Sequence, residues 1–349
     1  MSERQLLIGE LAARFAVQVG VSVPATRPSM NPSADGDEVA IRRREKLPWR
    51  SAAEEAARKR RRAAEIEARS TMSPPGPADD RFRIATWNVN SLRVRLAAIE
   101  RFVDRVRPDV LLLQETKAAT VSPQASESFA DRGYDVVAVG AGGYNGVAIA
   151  SRHPLRDVVA SGATGVEALD REPRLISGLV EGPVPVRVAS VYVPHGREVG
   201  HAHYGYKLSF LEALADSCRD WLLGGPLLVG GDLNVAATDH DVFHPDAFEG
   251  ATHVSPGERS ALAGVLATGL VDLDVARWGA RARRFTWWNY GFGYSRNLGM
   301  RIDVLAASPP IAGLVDTTWI DHVERANERP SDHAALVVDL AVQPTVPSS

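Results

Sequence analysis

Cysteine is almost absent from this chain of 349 residues, which contains a single one, Cys218. An intramolecular disulfide is therefore excluded, and a reducing compartment such as the cytoplasm is favoured. The sequence has no segment long and apolar enough to indicate a membrane-spanning helix. The early apolar stretch LLIGELAARFAVQVGVSV contains Glu10 and Arg14 and has no basic lead, so it differs from a secretory signal. We expect a cytoplasmic protein.

A large excess of charge of one sign is also lacking. The formal net charge is -3 at pH 7, so the overall sign does not indicate a nucleic-acid partner. Positive charge is concentrated in residues 42–62, which contain ten Lys or Arg residues and three acidic residues. Residues 1–80 predict a weakly ordered basic extension, because they are rich in Pro, Gly and charged residues. Within it, SAAEEAARKRRRAAEIEARS has almost no apolar face, which favours a solvated helix over a DNA-binding arm.

The chain after residue 80 lacks an internal repeat and a phosphate-binding loop, since GAGGYNG has neither the spacing nor the lysine of such a loop. Short apolar runs alternate there with amphipathic segments, and many runs are separated by a loop alone. This pattern favours an α/β domain with antiparallel or mixed sheets flanked by helices. Helices are predicted over residues 94–106, 204–223 and 256–268. The predicted strands are FRIATWNVN, VLLLQET, YDVVAVG, GVAIASR, RLISGLV, VRVASVYVP, PLLVGGDLN, RFTWWNY, RIDVLAAS and AALVVDL.

Polar side chains stand at the ends of several predicted strands. Each alone is explained by turn formation, which is common for Asx and Glu residues. Together they predict a cluster, because strand ends on one sheet edge converge and grouped carboxylates repel each other unless a cation is bound. Oxygen ligands favour Mg²⁺ or Mn²⁺ over zinc, and such ions suit phosphate ester chemistry. The residues are Asn88, Asn90, Glu115, Tyr192, Asp232, Asn234, Asp303, Asp332 and His333.

The triplet Ser-Asp-His in PSDHA places His333 directly after Asp332 at a strand start. Alone, the triplet is explained by a loop end and a histidine at a surface edge. A second carboxylate elsewhere in the chain would instead hold the histidine charged, as a donor to a phosphoryl oxygen or as a proton carrier.

Nine motifs then carry a resemblance to a known family: TWNVNSLR, LLLQETK, GYNGVAIASR, YVPHG, GGDLNVAATDHDVF, GLVDL, FTWWNY, LGMRIDVLAAS and PSDHA. Over residues 82–342 the chain resembles the exonuclease III family of AP endonucleases, in the endonuclease/exonuclease/phosphatase superfamily that includes DNase I. The resemblance implies a four-layer α/β sandwich of two mixed, largely antiparallel sheets flanked by helices, in a catalytic domain over residues 81–345. It also implies a monomeric Mg²⁺-dependent DNA repair nuclease, for which Mn²⁺ can substitute.

The implied reaction is hydrolysis of the phosphodiester 5′ to abasic sites in double-stranded DNA. Exonuclease activity in the 3′ to 5′ direction and 3′-phosphatase or 3′-phosphodiesterase activity on blocked ends are also implied. By the same resemblance, Glu115 is the principal Mg²⁺ ligand, with Asn88 and Asp332 as further metal residues. Asn90 stands where the eukaryotic branch of the family has an aspartate, so we do not expect a second strong ligand there.

The resemblance also implies the catalytic roles. Asp232 takes a proton from the attacking water, and Asn234 orients that water or the phosphate. Tyr192 bonds a phosphate oxygen, while His333, held by Asp303, stabilises charge in the transition state. The general base of the family is disputed among Asp232, Tyr192 and His333. We expect Asp232, because a carboxylate buried near other carboxylates can have a raised pKa.

Contacts to DNA are implied at two kinds of position. Trp287 and Met300 would form opposite walls of a pocket for the extruded abasic sugar, and a pocket too small for a sugar with a base explains selectivity. His195 and Asn289 depart from the usual residues of the family near this pocket. Four cations are expected to neutralise DNA phosphates: Arg93, Arg174, Arg197 and Lys207.

Two other functions compete with the nuclease. A superfamily phosphatase acting on inositol phosphates or sphingolipids would need different substrate loops and would leave Trp287 and LGMRID unexplained. A DNA-binding scaffold without activity would not need a complete catalytic site, and every expected catalytic position here has a competent residue.

Overall fold

The computed structural model describes residues 80–342. The predicted basic extension over residues 1–80 lies almost entirely outside the described residues, as do residues 343–349. No helix within residues 80–342 combines the length and the apolar character needed to cross a bilayer.

Fourteen strands and nine α-helices lie along the described residues. In chain order the strands are β1 (Arg81–Asn88), β2 (Val110–Gln114), β3 (Asp135–Val139), β4 (Val147–Ser151), β5 (Leu155–Ala160), β6 (Leu175–Val180), β7 (Val186–Tyr192), β8 (Leu227–Asp232), β9 (Val271–Asp272), β10 (Trp287–Trp288), β11 (Gly299–Met300), β12 (Asp303–Ala307), β13 (Val315–Asp321) and β14 (Ala335–Ala341). The α-helices are α1 (Leu92–Val106), α2 (Pro123–Ala130), α3 (Glu167–Asp170), α4 (Ala202–Leu223), α5 (Pro256–Leu266), α6 (Leu273–Trp278), α7 (Gly293–Arg296), α8 (Pro309–Ala312) and α9 (Val323–Ala326). Two 3₁₀ helices span Asp239–Asp241 and Pro245–Phe248.

The strands form two six-stranded sheets and a small two-stranded one. The first sheet has the order β13-β14-β1-β2-β4-β3, and the second has the order β5-β6-β7-β8-β12-β9. The pairs β1–β2 and β7–β8 are parallel, and the other pairs are antiparallel. The third sheet pairs β10 with β11. The sheets are therefore mixed and largely antiparallel, as the sequence predicts.

Alternation of side chains along the strands separates three apolar layers. In β1, Phe82 and Ile84 face the core between the two sheets, whereas Ala85 and Trp87 pack with residues of α1 on the outer face. On the other side of the molecule, α4 and α5 cover the outer face of the second sheet. Two sheets with helices outside both make a four-layer α/β sandwich. The predicted fold class is confirmed.

The sequence pattern missed the edge strands β5 and β13. Each lies at the end of its sheet, where half-exposed side chains interrupt an apolar run with Asp, Arg or Thr. It also missed α2, which buries two side chains, Ala125 and Phe129. The predicted strand RFTWWNY is two residues long in the structure. The three predicted helices are present as α1, α4 and α5, with ends within two residues of the prediction.

One buried cation joins strands to a helix near the outer face of the first sheet. Arg83 in β1 donates to both carboxylate oxygens of Asp339 in β14, at 2.6 and 2.9 Å. Its Nη1 donates to the carbonyl of Val106 at the end of α1, at 2.5 Å. The guanidinium also lies 4.8 Å from the ring of Trp319 in β13. A single side chain therefore links three strands and one helix.

Substitution Asp339→Ala is expected to destabilise the fold strongly, because it leaves the Arg83 guanidinium buried without its counter-charge. Such a loss costs about 3–5 kcal/mol in the free energy of unfolding, measurable by urea denaturation. The control is Asp316→Ala, which removes a half-exposed partner of Arg81 at 3.3 Å and should change stability little. Equal stability of the two variants would contradict a structural role for the buried pair.

Candidate active site

The carboxyl ends of the two parallel strand pairs meet where the sheets face each other. Asn88 ends β1 beside Gln114 of β2, and Tyr192 ends β7 beside Asp232 of β8. The side-chain amide of Asn88 donates to Glu115 at 2.9 Å and to Asp232 at 2.9 Å. One amide therefore connects the two sheets, and the polar strand ends border a single cavity.

The backbone around this cavity adopts conformations that few residues tolerate. A Cβ at Gly231 would lie 1.8 Å from the carbonyl oxygen of Val191, so the close contact of β8 with β7 needs glycine there. Left-handed backbone occurs at Asn90 (φ 46°), Glu115 (φ 51°) and Asn234 (φ 52°), each just after a strand. Backbone strain of this kind concentrates at functional sites.

His333 lies between two buried carboxylates. Its Nδ1 is 2.8 Å from Oδ2 of Asp303, and its Nε2 is 3.7 Å from Oδ2 of Asp232. Burial alone would lower the pKa of His333, but the charges of Asp303 and Asp232 raise it to about 10. The ring is therefore an imidazolium at neutral pH, with an N–H group toward each carboxylate. The predicted contact between Asp303 and His333 is present.

Asp232 and Tyr192 face the same cavity with different acidities. Burial, helped by the charge of Asp303, raises the pKa of Asp232 to about 7 in spite of the opposing charge of His333. Burial and the charges of Glu115 and Asp232 raise the pKa of Tyr192 well above its ordinary value. Asp232 can therefore exchange a proton near neutral pH, while Tyr192 stays a neutral phenol.

Asp332 is held as a carboxylate at the rim of the cavity. It accepts hydrogen bonds from the amide of Asn90 at 2.9 Å and from the indole N–H of Trp287 at 3.1 Å. Burial would raise its pKa, but the charge of His333 and these two hydrogen bonds lower it below the ordinary value. The adjacent residues Asp332 and His333 therefore present opposite charges to the site.

A sequence model of the endonuclease/exonuclease/phosphatase family matches residues 85–333, which include all of the predicted catalytic and metal residues. The chain belongs to this family.

Similar proteins within the family indicate which class of enzyme this chain resembles. An exodeoxyribonuclease of Bacillus subtilis is 29% identical over 260 residues, covering 73% of this chain and 98% of the relative. The structure of an AP endonuclease from Archaeoglobus fulgidus superposes with a TM-score of 0.69 at 34% identity, covering 74% of this chain and 99% of that chain. A 3′ phosphatase from Neisseria bound to a product DNA hairpin gives the same TM-score and identity, with 74% and 99% coverage.

The resemblance to exonuclease III and AP endonucleases is therefore confirmed. Enzymes of this branch are phosphodiester hydrolases, and the chain is a hydrolase of that class.

The donor set of the endonuclease/exonuclease/phosphatase site fits a hard divalent cation. Among residues 80–342, Asp232, Asp303 and His333 form a group whose ligand atoms lie within 4.8 Å of one another. A protonated His333 has no lone pair to offer a metal, however. The carboxylate oxygens of Glu115 and Asp332 are the better donors, since Mg²⁺ prefers oxygen ligands. The predicted metal residue Asn88 turns its NH2 group toward Glu115, and its oxygen accepts from the backbone N–H of Asn90.

Trp287 and Met300 line the cavity from adjacent strands. They are paired residues of β10 and β11, and Trp287 also forms a bridge with His333. Both border a volume of about 240 Å³ together with the catalytic side chains. The structure therefore brings both predicted pocket walls into the predicted active site. They are neighbours on two paired strands, however, and not opposite walls as expected.

Two of the four predicted DNA-contacting cations are buried, and the structure corrects both predictions. Lys207 has no exposed surface, and its ammonium donates to Glu258 at 2.5 Å and to the carbonyl of Asn234 at 2.6 Å. Arg174 is 5% exposed and donates to Glu172 at 2.5 Å. A cation enclosed and paired in this way is a poor contact for a DNA phosphate. Helix periodicity alone could not place Lys207 inside the molecule.

The other two predicted DNA contacts, Arg93 and Arg197, are exposed. Arg93 borders a second cavity together with Lys117 and Ser122, beside the active site. The role of these two arginines in DNA binding stays a prediction.

Sequence reasoning missed two residues of the site. Lys117 lies 2.9 Å from Oε2 of Glu115, and its place in the motif LLLQETK was a usable signal. His253 borders the cavity and contacts Asn234 at 3.0 Å. It lies in a loop without periodicity, so no pattern in the sequence indicates its position.

Substitution Asp303→Asn is expected to lower the pKa of His333 below about 10, because it removes the nearest negative charge. In the unaltered protein the raised pKa stabilises the fold fully below about pH 6.5, the ordinary histidine value, and this contribution is lost as the pH rises through about 10. Titration of the ring nitrogens by NMR measures the change.

The control for this titration is Asp216→Asn, which alters an exposed residue of α4. It should leave the pKa of His333 where it is. A ring that titrates near pH 6.5 in the unaltered protein would contradict an imidazolium at neutral pH.

Proposed function

We propose that this protein is a Mg²⁺-dependent DNA repair nuclease that cleaves the phosphodiester 5′ to abasic sites. The observation that carries the proposal is the arrangement of a charged His333, a proton-exchanging Asp232 and the wall formed by Trp287 around one cavity. The similarity to AP endonucleases and exodeoxyribonucleases supports the choice of DNA as substrate. We further infer a monomer that acts on nucleoid DNA in the cytoplasm.

Glu115 and Asp332 would hold the Mg²⁺ ion, for which Mn²⁺ can substitute, and the amide N–H of Asn88 would orient Glu115. When bound, the ion offsets negative charge on the phosphate. Lys117 pairs with Glu115 at 2.9 Å and orients this carboxylate. Trp287 and Asn90 do the same for Asp332 through their hydrogen bonds.

Hydrolysis proceeds by attack of water on phosphorus. Asp232 takes a proton from the water, and the bond from phosphorus to the 3′-oxygen breaks. The departing 3′-oxygen takes up a proton from solvent, which leaves a 3′-hydroxyl and a 5′-deoxyribose phosphate. The imidazolium of His333 donates to a phosphoryl oxygen as negative charge develops there. Of the three candidate bases, Asp232 is favoured, because His333 already carries its proton and the phenol of Tyr192 is a weak acid.

Asn234 and Tyr192 act on the phosphate without changing their own protonation. Asn234 receives a fixed position from two hydrogen bonds of its amide, to the carbonyl of Val193 at 2.9 Å and to His253 at 3.0 Å. The phenol of Tyr192, neutral at physiological pH, can donate to a phosphate oxygen. Both therefore stabilise charge that grows in the transition state.

Selectivity for abasic sites follows from the size of the cavity. Its volume of about 240 Å³ lies below the roughly 300–1,000 Å³ usual for larger ligands. Trp287 and Met300 provide apolar walls for a sugar that lacks its base, and an intact nucleotide would not fit. The same cavity can accept a 3′-blocked DNA end, which supports 3′-phosphatase or 3′-phosphodiesterase activity. We propose 3′ to 5′ exonuclease activity from the similarity to an exodeoxyribonuclease.

The decisive test is cleavage of a duplex with one abasic-site analogue, in Mg²⁺ and in EDTA. Incision 5′ to the lesion should require the metal. Glu115→Ala removes the principal metal ligand, and His333→Ala removes the donor to the phosphate, so each should lower the rate by about 10²-fold or more. Equal folding of the variants is checked by circular dichroism.

Absence of incision by the folded, metal-loaded protein would reject the AP endonuclease proposal. Recessed 3′ ends and phosphorylated small molecules, including inositol phosphates, are then assayed in the same buffer. Turnover of the small molecules alone would favour the phosphatase alternative.

Substitution Trp287→Ala should weaken discrimination between an abasic site and an intact nucleotide. The ratio of the two kcat/KM values is expected to fall by about tenfold or more, because the pocket gains space for a base. This ratio separates the effect of the wall from the lost hydrogen bond to Asp332, which slows both substrates. Trp278→Ala, at a half-exposed tryptophan outside the cavity, is the matched control. An unchanged ratio for Trp287→Ala would contradict the pocket assignment.

A further inference from the structure

His253 is held in an unfavourable backbone conformation beside the active site. Its φ of 76° lies in the left-handed region, and its side chain is 8% exposed. The backbone N–H of His253 donates to Glu258 at 2.9 Å, and its carbonyl accepts from Ala236 at 2.8 Å. Anchors on both sides of the residue therefore fix the ring at the wall of the cavity, as expected where strain serves a site.

The ring of His253 contacts one end of the Asn234 side chain. The Nδ2 of Asn234 donates to the carbonyl of Val193 at 2.9 Å, which fixes the opposite end of the amide as the oxygen. That oxygen lies 3.0 Å from Nε2 of His253. Because an oxygen can only accept, Nε2 must carry the proton and donate. One hydrogen of Nδ2 is then left to point at a substrate.

The surroundings keep His253 neutral. Burial, together with the charge of Lys207, lowers the pKa of His253 well below its ordinary value, and the same two causes lower the pKa of His195 to about 4. The two rings meet edge to face at 4.5 Å. Lys207 also donates to the backbone carbonyls of Asn234 and His195. The two residues that contact the His253 ring are therefore held by the same ammonium group.

We propose that His253 is a positioning residue for the reaction, whose neutral Nε2–H holds the amide of Asn234 with an N–H directed at the scissile phosphate or the attacking water. This inference rests on the proposed function, since it assigns a partner to one of its catalytic residues. It also explains why a histidine occupies a left-handed position, where the backbone alone would favour glycine.

The tautomer of His253 is the first test, and it needs no activity and no variant. Long-range ¹H–¹⁵N NMR spectra of the full chain, labelled on histidine, should show a neutral ring protonated at Nε2 at pH 7. A neutral ring protonated at Nδ1 would overturn the proposal, because its Nε2 could only accept. An imidazolium would also overturn it, because the proposed donor is a neutral ring.

Two substitutions separate donation from packing. His253→Phe keeps a ring against His195 but has no N–H, whereas His253→Gln keeps an N–H donor but has no ring. Both carry a Cβ at the same left-handed position, so they share the backbone cost. We expect kcat on the abasic duplex to fall about 10- to 100-fold in His253→Phe, with KM within about threefold, and His253→Gln to recover most of it. Activity retained by His253→Phe and lost by His253→Gln would indicate packing alone.

A double-mutant cycle then asks whether His253 acts through Asn234. In the Asn234→Ala background, His253→Phe should change kcat by less than about twofold, because the amide that it positions is gone. Equal losses in both backgrounds would overturn the assignment. His153→Phe is the control, at a partly exposed histidine beside Asp109 and outside the cavity, and it should leave kcat unchanged.

The unaltered protein is assayed first on the abasic duplex. If it does not cleave, the proposed function fails. The NMR test of the His253 tautomer then still shows whether Nε2 donates to the amide oxygen of Asn234. If it cleaves and His253→Phe cleaves equally well, the positioning inference alone fails.

Discussion

The mutual repulsion of carboxylates in one cavity is the constraint on which the rest of this structure depends. Carboxylates in a site with little water raise one another's energy unless each has a donor or an opposite charge. Asn88 divides its amide between Glu115 and Asp232, and His333 carries positive charge against Asp303 and Asp232. The donors come from different strands, so the cavity can form only when both sheets are paired correctly.

Sheet register supplies that positional accuracy. Asp303 and Asp232 are paired residues of adjacent antiparallel strands, and a slip by one residue would turn one of them to the opposite face. Gly231 allows β8 to approach β7 at the point where Asp232 leaves the sheet. The short left-handed segments after the strands then turn Glu115 and Asn234 into the cavity. The strain at these residues persists because the strands that precede them are held by pairing in the sheets.

The fold class and the strand-end cluster could be predicted because both produce strong local signals. An apolar run that ends in Asn, Asp or Glu marks a strand end, and the converging ends require a common site. For Lys207 the sequence indicated exposure, because a lysine on an amphipathic helix is usually solvated, whereas the structure buries it. Its partner Glu258 lies 51 residues further along, and only the packing of α4 against α5 brings them together. His253 sits in an irregular loop, where no periodicity relates sequence to position.

The buried cations explain how so acidic a site remains rigid. Lys207 bonds Glu258 and the backbone carbonyls of Asn234 and His195, and Arg301 pairs with both Asp241 and Asp272 between the pocket wall Met300 and Asp303. A bond from a cation to a carbonyl fixes backbone, which a pair of side chains alone does not. The buried charge of Lys207 therefore orders the two cavity-lining segments that contain Asn234 and His195. Contact with DNA phosphates is proposed instead for exposed cations such as Arg93 and Arg197. The position of a lysine or arginine in the fold decides whether it is available to a ligand or serves the internal structure.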